Sequence, residues 1–177
     1  DELNKKDIFE KFLPLQTKCL KDYTELLPGV AKTSQDLQKI GILIGVTTGF
    51  SKEMVDILLC HAKEQGFTPD AAVGGDEVLN GTRPYPNMLF KNMDLLGIAN
   101  PKSVIKVDDT VSGIGEGLNA GCWSVGFSKW SSYVGVDSFE HEAQLSFDEL
   151  EEKRMVSREK LLNSGAHYVV DDINSLP

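Results

Sequence analysis

From Val30 onward, short apolar runs alternate with helix-like segments, and most junctions between them carry a glycine. A run that is apolar throughout, such as Ile42-Leu-Ile-Gly-Val-Thr47, suits a strand covered on both faces. A helical crossover between two such strands brings them together in parallel, so the alternation predicts an α/β fold with a parallel sheet flanked by helices. Strands are expected at 42–47, 71–73, 103–107, 122–127 and 168–170, and helices at 29–39, 52–65, 84–96, 111–119 and 146–162. Val30, Leu37 and Ile40 are expected to face inward on the first helix. On the second, Met54, Val55, Leu58, Leu59 and Ala62 form the apolar face. Ser51 is placed to cap that helix, and Ser146 with Glu149 forms a capping box for the last. Residues 128–145 read as loop, and Asp172–Leu176 as a short closing turn. The first 27 residues differ: one helix is expected over 7–27, with Ile8, Phe9, Phe12, Leu13, Leu20, Tyr23 and Leu27 apolar and a kink or break at Pro14.

The 177 residues carry a net charge of −9, which argues against nucleic acid as the main partner and against an anionic membrane surface. A small anionic ligand remains compatible, because a cationic pocket can sit in an acidic chain. No apolar run approaches the roughly 20 residues of a spanning helix. No secretory leader is visible, so a cytoplasmic setting is expected. The chain begins at Asp1 without Met, which reads as a piece of a longer product. Cys19, Cys60 and Cys122 all stand in apolar stretches without framework spacing and are expected to be reduced core thiols. His61, His141 and His167 lack metal-ligand spacing and read as structural.

Two strand ends carry the chemistry, where open α/β sheets place their ligand sites. At the first, Thr47-Thr48-Gly49 offers a hydroxyl and a glycine turn whose N–H groups can hold a tetrahedral oxyanion. Thr48 could equally satisfy its own turn. At the second, Asp108-Asp109-Thr110 presents carboxylates suited to a hard cation such as Mg²⁺, or else a helix cap. Arg83, before Pro84-Tyr-Pro86, has a planar fork matched to phosphate or phosphonate oxygens; the alternative is a surface ion pair. Gly113, Gly115 and Gly117 lie in one helix despite the low helix propensity of glycine, which points to close packing or to ligand approach.

These segments resemble the phosphonoacetaldehyde hydrolases of the haloacid dehalogenase-like superfamily. The resemblance rests on Thr47-Thr-Gly-Phe-Ser-Lys-Glu-Met54, Arg83-Pro-Tyr-Pro-Asn-Met88, Ile105-Lys-Val-Asp-Asp-Thr-Val-Ser112 and Glu116-Gly-Leu-Asn-Ala-Gly121, with Gly165-Ala-His167 also similar. It implies a Rossmann-like core over 28–177, with residues 1–27 a remnant of a helical cap and its return to the core. The implied reaction hydrolyses the carbon–phosphorus bond of phosphonoacetaldehyde to acetaldehyde and phosphate. Thr48 and Gly49 match the phosphonyl-binding turn, Arg83 the cation that neutralises the phosphonate, and Asp109, with Asp108 beside it, the Mg²⁺ carboxylates. Dimers formed through the cap are also implied.

The chain departs from that pattern in several places. The first strand, which carries the nucleophilic Asp, has no counterpart, and neither does most of the cap with its Schiff-base Lys. Asp108 stands where the family usually has Gly, Gly113 where a second acidic residue is usual, and Phe50 where Tyr is usual. Without a nucleophile the covalent route is closed, so no catalytic residue is assigned and no turnover is expected from this chain alone. A non-catalytic relative that binds phosphate or a protein is the alternative. The missing strand is central in the superfamily. The sheet is therefore expected to close by direct pairing of 42–47 with 103–107, or to accept a strand from a partner.

Overall fold

A computed structural model describes residues 2–20, 23–136 and 138–176. Five short parallel strands alternate with helices. Strand β1 is Gly45–Thr47, β2 Ala71–Val73, β3 Ile105–Asp108, β4 Trp123–Phe127 and β5 Tyr168–Val170. The helices are α1 Glu2–Leu20, α2 Val30–Lys39, α3 Lys52–Glu64, α4 Asn87–Leu95, α5 Val111–Asn119, α6 Phe139–Gln144 and α7 Phe147–Asn163.

The strands form two sheets. In one, β1 lies beside β2, with Val46 opposite Ala72. In the other the order is β3-β4-β5, with Val107 opposite Val125 and Gly126 opposite Val169. The direct pairing of 42–47 with 103–107 is not formed: among the described residues no ladder joins β1 to β3. Side chains reach β1 in its place. Asn92 of α4 donates to the Val46 carbonyl at 2.8 Å, Arg83 donates to the Thr47 carbonyl, and Lys106 of β3 donates to the Thr47 hydroxyl at 2.7 Å. Of these acceptors the Thr47 carbonyl is one that a strand on the open edge of β1 would otherwise meet.

Two apolar clusters build the core. Leu89 and Met93 of α4 pack with Ala120 and Cys122, while Ile114, Leu161 and Ala166 join α5 and α7 beside β5. Caps follow the sequence closely. The Ser51 hydroxyl accepts from the Met54 N–H, and Ser146 and Glu149 exchange hydrogen bonds in a capping box.

Several expectations are corrected. Helix α1 is not broken at Pro14, since proline removes one N–H bond and leaves the rest of the ladder in place, and it spans Glu2–Leu20 and does not reach 27. Residues 23–27 are instead tied to α3, where Gln65 accepts from the Leu26 N–H and donates to the Thr24 carbonyl. Tyr23 is 81% exposed, and Ile8, Phe12 and Leu15 are also open; the Phe9 and Leu13 side chains lie outside what is described. The strand expected at 42–47 shrinks to three residues, leaving Ile42 and Leu43 exposed. Ile40, expected inward, is the C-cap of α2 and is 74% exposed. Pro84–Pro86 precede α4 and are not part of it. The loop over 128–145 contains α6, a single short turn-and-a-half too brief for a periodic signal. Of the three thiols only Cys122 is buried; Cys19 and Cys60 lie on exposed helix faces.

Candidate active site

The site is built where β1 and β3 end. On β3 the burial alternates against the usual sense: Ile105 is exposed, while Lys106 and Asp108 are buried. Residues two apart share one strand face, so the ammonium and the carboxylate point the same way, toward α5. From α5 comes Glu116, which is completely buried. From the loop before α4 comes Arg83, next to a cis peptide at Pro84.

These side chains form one ion cluster. The Lys106 Nζ lies 3.0 Å from the Glu116 Oε2 and 3.2 Å from the Asp108 Oδ2. The Arg83 Nη1 lies 3.2 Å from that same Asp108 oxygen, and its Nε is 3.4 Å from the Glu116 Oε2. The Thr47 hydroxyl accepts from Lys106 and donates to Glu116 at 3.0 Å. Two cations and two carboxylates therefore cancel, which is what allows them to be buried at all. The balance is incomplete at the level of hydrogen bonds: the Arg83 Nε and the Glu116 Oε1 are buried with no hydrogen-bond partner among the described residues.

The Asp108 Oδ1 is occupied as well. It accepts from the Thr110 N–H at 3.0 Å and from the Thr110 hydroxyl at 2.7 Å. Asp109 differs. Its carbonyl accepts from the Ser131 hydroxyl at 2.7 Å, but among the described residues no donor from another residue reaches its carboxylate. Burial, and then the neighbouring Asp108 charge, hold the Asp109 carboxyl above its ordinary pKa of 3.8, against smaller pulls from Arg83 and Lys106. Across the site, the Thr48 hydroxyl accepts from the Phe50 N–H at 3.3 Å, and Gly49 is exposed in the turn. Gly74 and Gly75 pack against this turn: a Cβ on either would come within 2.8 Å of the Phe50 or Gly49 carbonyl oxygen.

The three glycines of α5 are explained by contact. A Cβ at Gly115 would lie 3.0 Å from Pro84, and one at Gly117 would lie 2.4 Å from the Ser124 hydroxyl and 2.7 Å from the Lys106 Cβ. At Gly113 it would fall 1.9 Å from the Asp108 Cγ.

Residues 1–127 match the family model for haloacid dehalogenase-like hydrolases. The chain belongs to that family. Among relatives of this haloacid dehalogenase-like chain, a phosphonoacetaldehyde hydrolase from Bacillus cytotoxicus is 38% identical over 99% of this chain and 66% of its own length. A bifunctional phosphonoacetaldehyde hydrolase/aminoethylphosphonate transaminase from Clostridioides difficile is 38% identical, again over 99% of this chain but only 27% of its own. A crystal structure of a phosphonoacetaldehyde hydrolase-like protein from Oleispira antarctica superposes with a TM-score of 0.94 at 39% identity, over 99% of this chain and 63% of that one. The chain thus spans at most about two thirds of the length of these relatives.

The haloacid dehalogenase-like core brings Arg83 and Asp108 into contact and sets Asp109 beside them, with Thr48 and Gly49 at the end of β1. Sequence reasoning placed Thr47 at the strand end without its role in the ion cluster, and assigned no role to Asn92, Lys106 and Glu116. Lys106 did leave a signal, since a charge in the middle of an apolar strand needs a buried partner. Glu116 left none that separates it from a solvated helix glutamate.

Proposed function

We propose that this chain carries the anion-binding part of a phosphonoacetaldehyde hydrolase site, with phosphonate or phosphate as ligand, and that it does not turn substrate over by itself. The observation that carries this reading is the Arg83 guanidinium, held at the carboxyl ends of β1 and β3 by Thr47, Asp108 and Glu116. A planar fork so placed suits two oxygens of a tetrahedral anion. Thr48 and Gly49 border the same end, where turn N–H groups add donors. The relatives named above support the substrate class.

Mg²⁺ belongs to this reading, and the donor set fits it in part. Asp109, with no donor from another described residue on its carboxylate, is the group to hold the cation. Asp108 is a poorer second ligand, because both its oxygens already accept from or pair with neighbouring donors. When bound, Mg²⁺ offsets negative charge on the ligand oxygens. The chain's own part is to aim Arg83, keep Lys106 and Glu116 paired behind it, and present the Thr48–Gly49 turn.

The test pairs a binding measurement with a turnover assay. Inorganic phosphate is expected to bind the native chain, with at least tenfold loss in Arg83→Ala, the cost of one charge-assisted contact. Acetaldehyde release from phosphonoacetaldehyde with Mg²⁺ is expected to stay at background. Release that depends on Arg83 would refute the inactivity, and phosphate affinity indifferent to Arg83 would refute the site.

A second reading, a non-catalytic anion or protein binder, is favoured by one observation: the carboxylate of Asp108 is already seated on Arg83.

A further inference from the structure

Asp108 and Gly113 are joined by geometry. The two stand five positions apart, across the junction of β3 and α5, yet a side chain at 113 would begin inside the Asp108 carboxylate: its Cβ would lie 1.9 Å from Cγ and 2.1 Å from each oxygen. The place can hold one side chain or the other. Asp108 fills it, and there its Oδ2 meets both cations of the cluster, Arg83 at 3.2 Å and Lys106 at 3.2 Å. Its Oδ1 is fixed by Thr110.

We propose that the Asp108 carboxylate is a built-in occupant of the anion site, seated in space that glycine at 113 leaves open, and that an incoming phosphate or phosphonate must displace it from Arg83. This rests on the reading of Arg83 as the anion-binding side chain. Three charge facts support the competition. Arg83 and Lys106 are balanced by Asp108 and Glu116, so a ligand dianion meets a neutral cluster instead of a cationic one. Glu116 is fully buried and accepts from Thr47, whereas Asp108, buried but less completely, stands at the end of β3 next to Asp109. Among the described residues the Arg83 Nη1 pairs with Asp108 alone, so that arm of the fork is the one the carboxylate withholds. Asp108 is thus a positioning residue that sets how tightly this site takes an anion.

The experiment titrates inorganic phosphate into the native chain, Asp108→Asn, and each of these combined with Arg83→Ala, following the amide signals of Thr48 and Gly49 by NMR. Asp108→Asn keeps an oxygen for Thr110 and removes the charge. Its phosphate affinity is expected to rise about tenfold, the effect of one charge in a partly buried site, and Arg83→Ala is expected to abolish that gain. A folded Asp108→Asn whose affinity is unchanged or weaker overturns the proposal. If Arg83→Ala also leaves the affinity unaltered, or if no chain binds phosphate, the anion-site reading falls and the occupancy falls with it. If Arg83→Ala abolishes binding but Asp108→Asn brings no gain, only the occupancy falls.

Thermal melting reads the steric half without any ligand. Gly113→Ala should lower the Tm by about 5 °C in the native chain, where the new methyl evicts the carboxylate. In an Asp108→Gly background the same change should raise the Tm by about 2 °C, because helix propensity is then unopposed. Equal shifts in the two backgrounds would refute the shared place.

Discussion

Asp109 holds its proton more tightly in the folded chain than it would in water. Its carboxyl pKa is raised by burial and by Asp108. A carboxylate whose folded pKa lies above its unfolded value binds its proton more tightly in the folded state. Stability linked to Asp109 is therefore greatest at low pH and falls as pH rises through and above 3.8. Asp109→Asn should consequently raise the Tm at pH 7, and the gain should fade as pH drops through 3.8 and vanish well below it, where the native group is protonated in both states. A Tm at pH 7 that falls on this substitution would mean that the charge is stabilising and that the burial argument has the wrong sign. At this scale the sequence exposed Asp108 and Asp109, because charges at a strand end stand out against apolar neighbours, and Arg83, because it stands directly before Pro84-Tyr-Pro86. It hid Glu116, whose partners lie 33 and 10 positions away at Arg83 and Lys106 and exist only once α5 lies on β3.

Elements with a local cause were legible. Helix α7 is the clearest, since Ser146 and Glu149 sit three apart and bond each other in the folded chain, with the Glu149 Oε2 2.9 Å from the Ser146 nitrogen. Ser146→Ala removes the hydroxyl that accepts from the Glu149 N–H and should lower the Tm by about 3 °C. The Glu149 pKa is depressed first by the Ser146 side chain and then by its backbone N–H. That contribution is present above the ordinary value of 4.5 and is lost as pH falls through the lower folded value, so the penalty for Ser146→Ala should shrink in acid. A penalty independent of pH would assign the cap to the hydroxyl alone. Where the cause is tertiary, sequence reading failed. The α5 glycines could not be assigned between packing and ligand approach until Pro84, Ser124 and Asp108 were found against them. Strand β1 is shorter than its apolar run because a ladder forms only where a neighbour exists, and Ile42 and Leu43 have none among the described residues.

At the scale of the molecule, no ladder joins the two sheets among the described residues, and they are linked by α4, which packs on β1 and β2 and on Ala120 and Cys122, and by side chains. Among the side chains Lys106 is a direct link, reaching from β3 to the Thr47 hydroxyl on β1 while pairing with Glu116 and Asp108. A ladder ties every second residue of a strand, whereas this link is a few contacts converging on one threonine. The β1–β2 unit should then open more readily than β3–β4–β5, which has two continuous pairings and the α7 cluster behind it. Native-state hydrogen exchange is expected to show lower opening free energies for the Gly45–Thr47 and Ala71–Val73 amides than for Trp123–Phe127. Lys106→Met should lower global stability by about 3 kcal/mol, because it leaves Glu116 and Asp108 sharing Arg83 as their remaining cation within the cluster. It should also widen the gap between the two sets of amides. A single common opening free energy in the native chain would show instead that helix packing, and not the lysine link, makes the two sheets one cooperative unit.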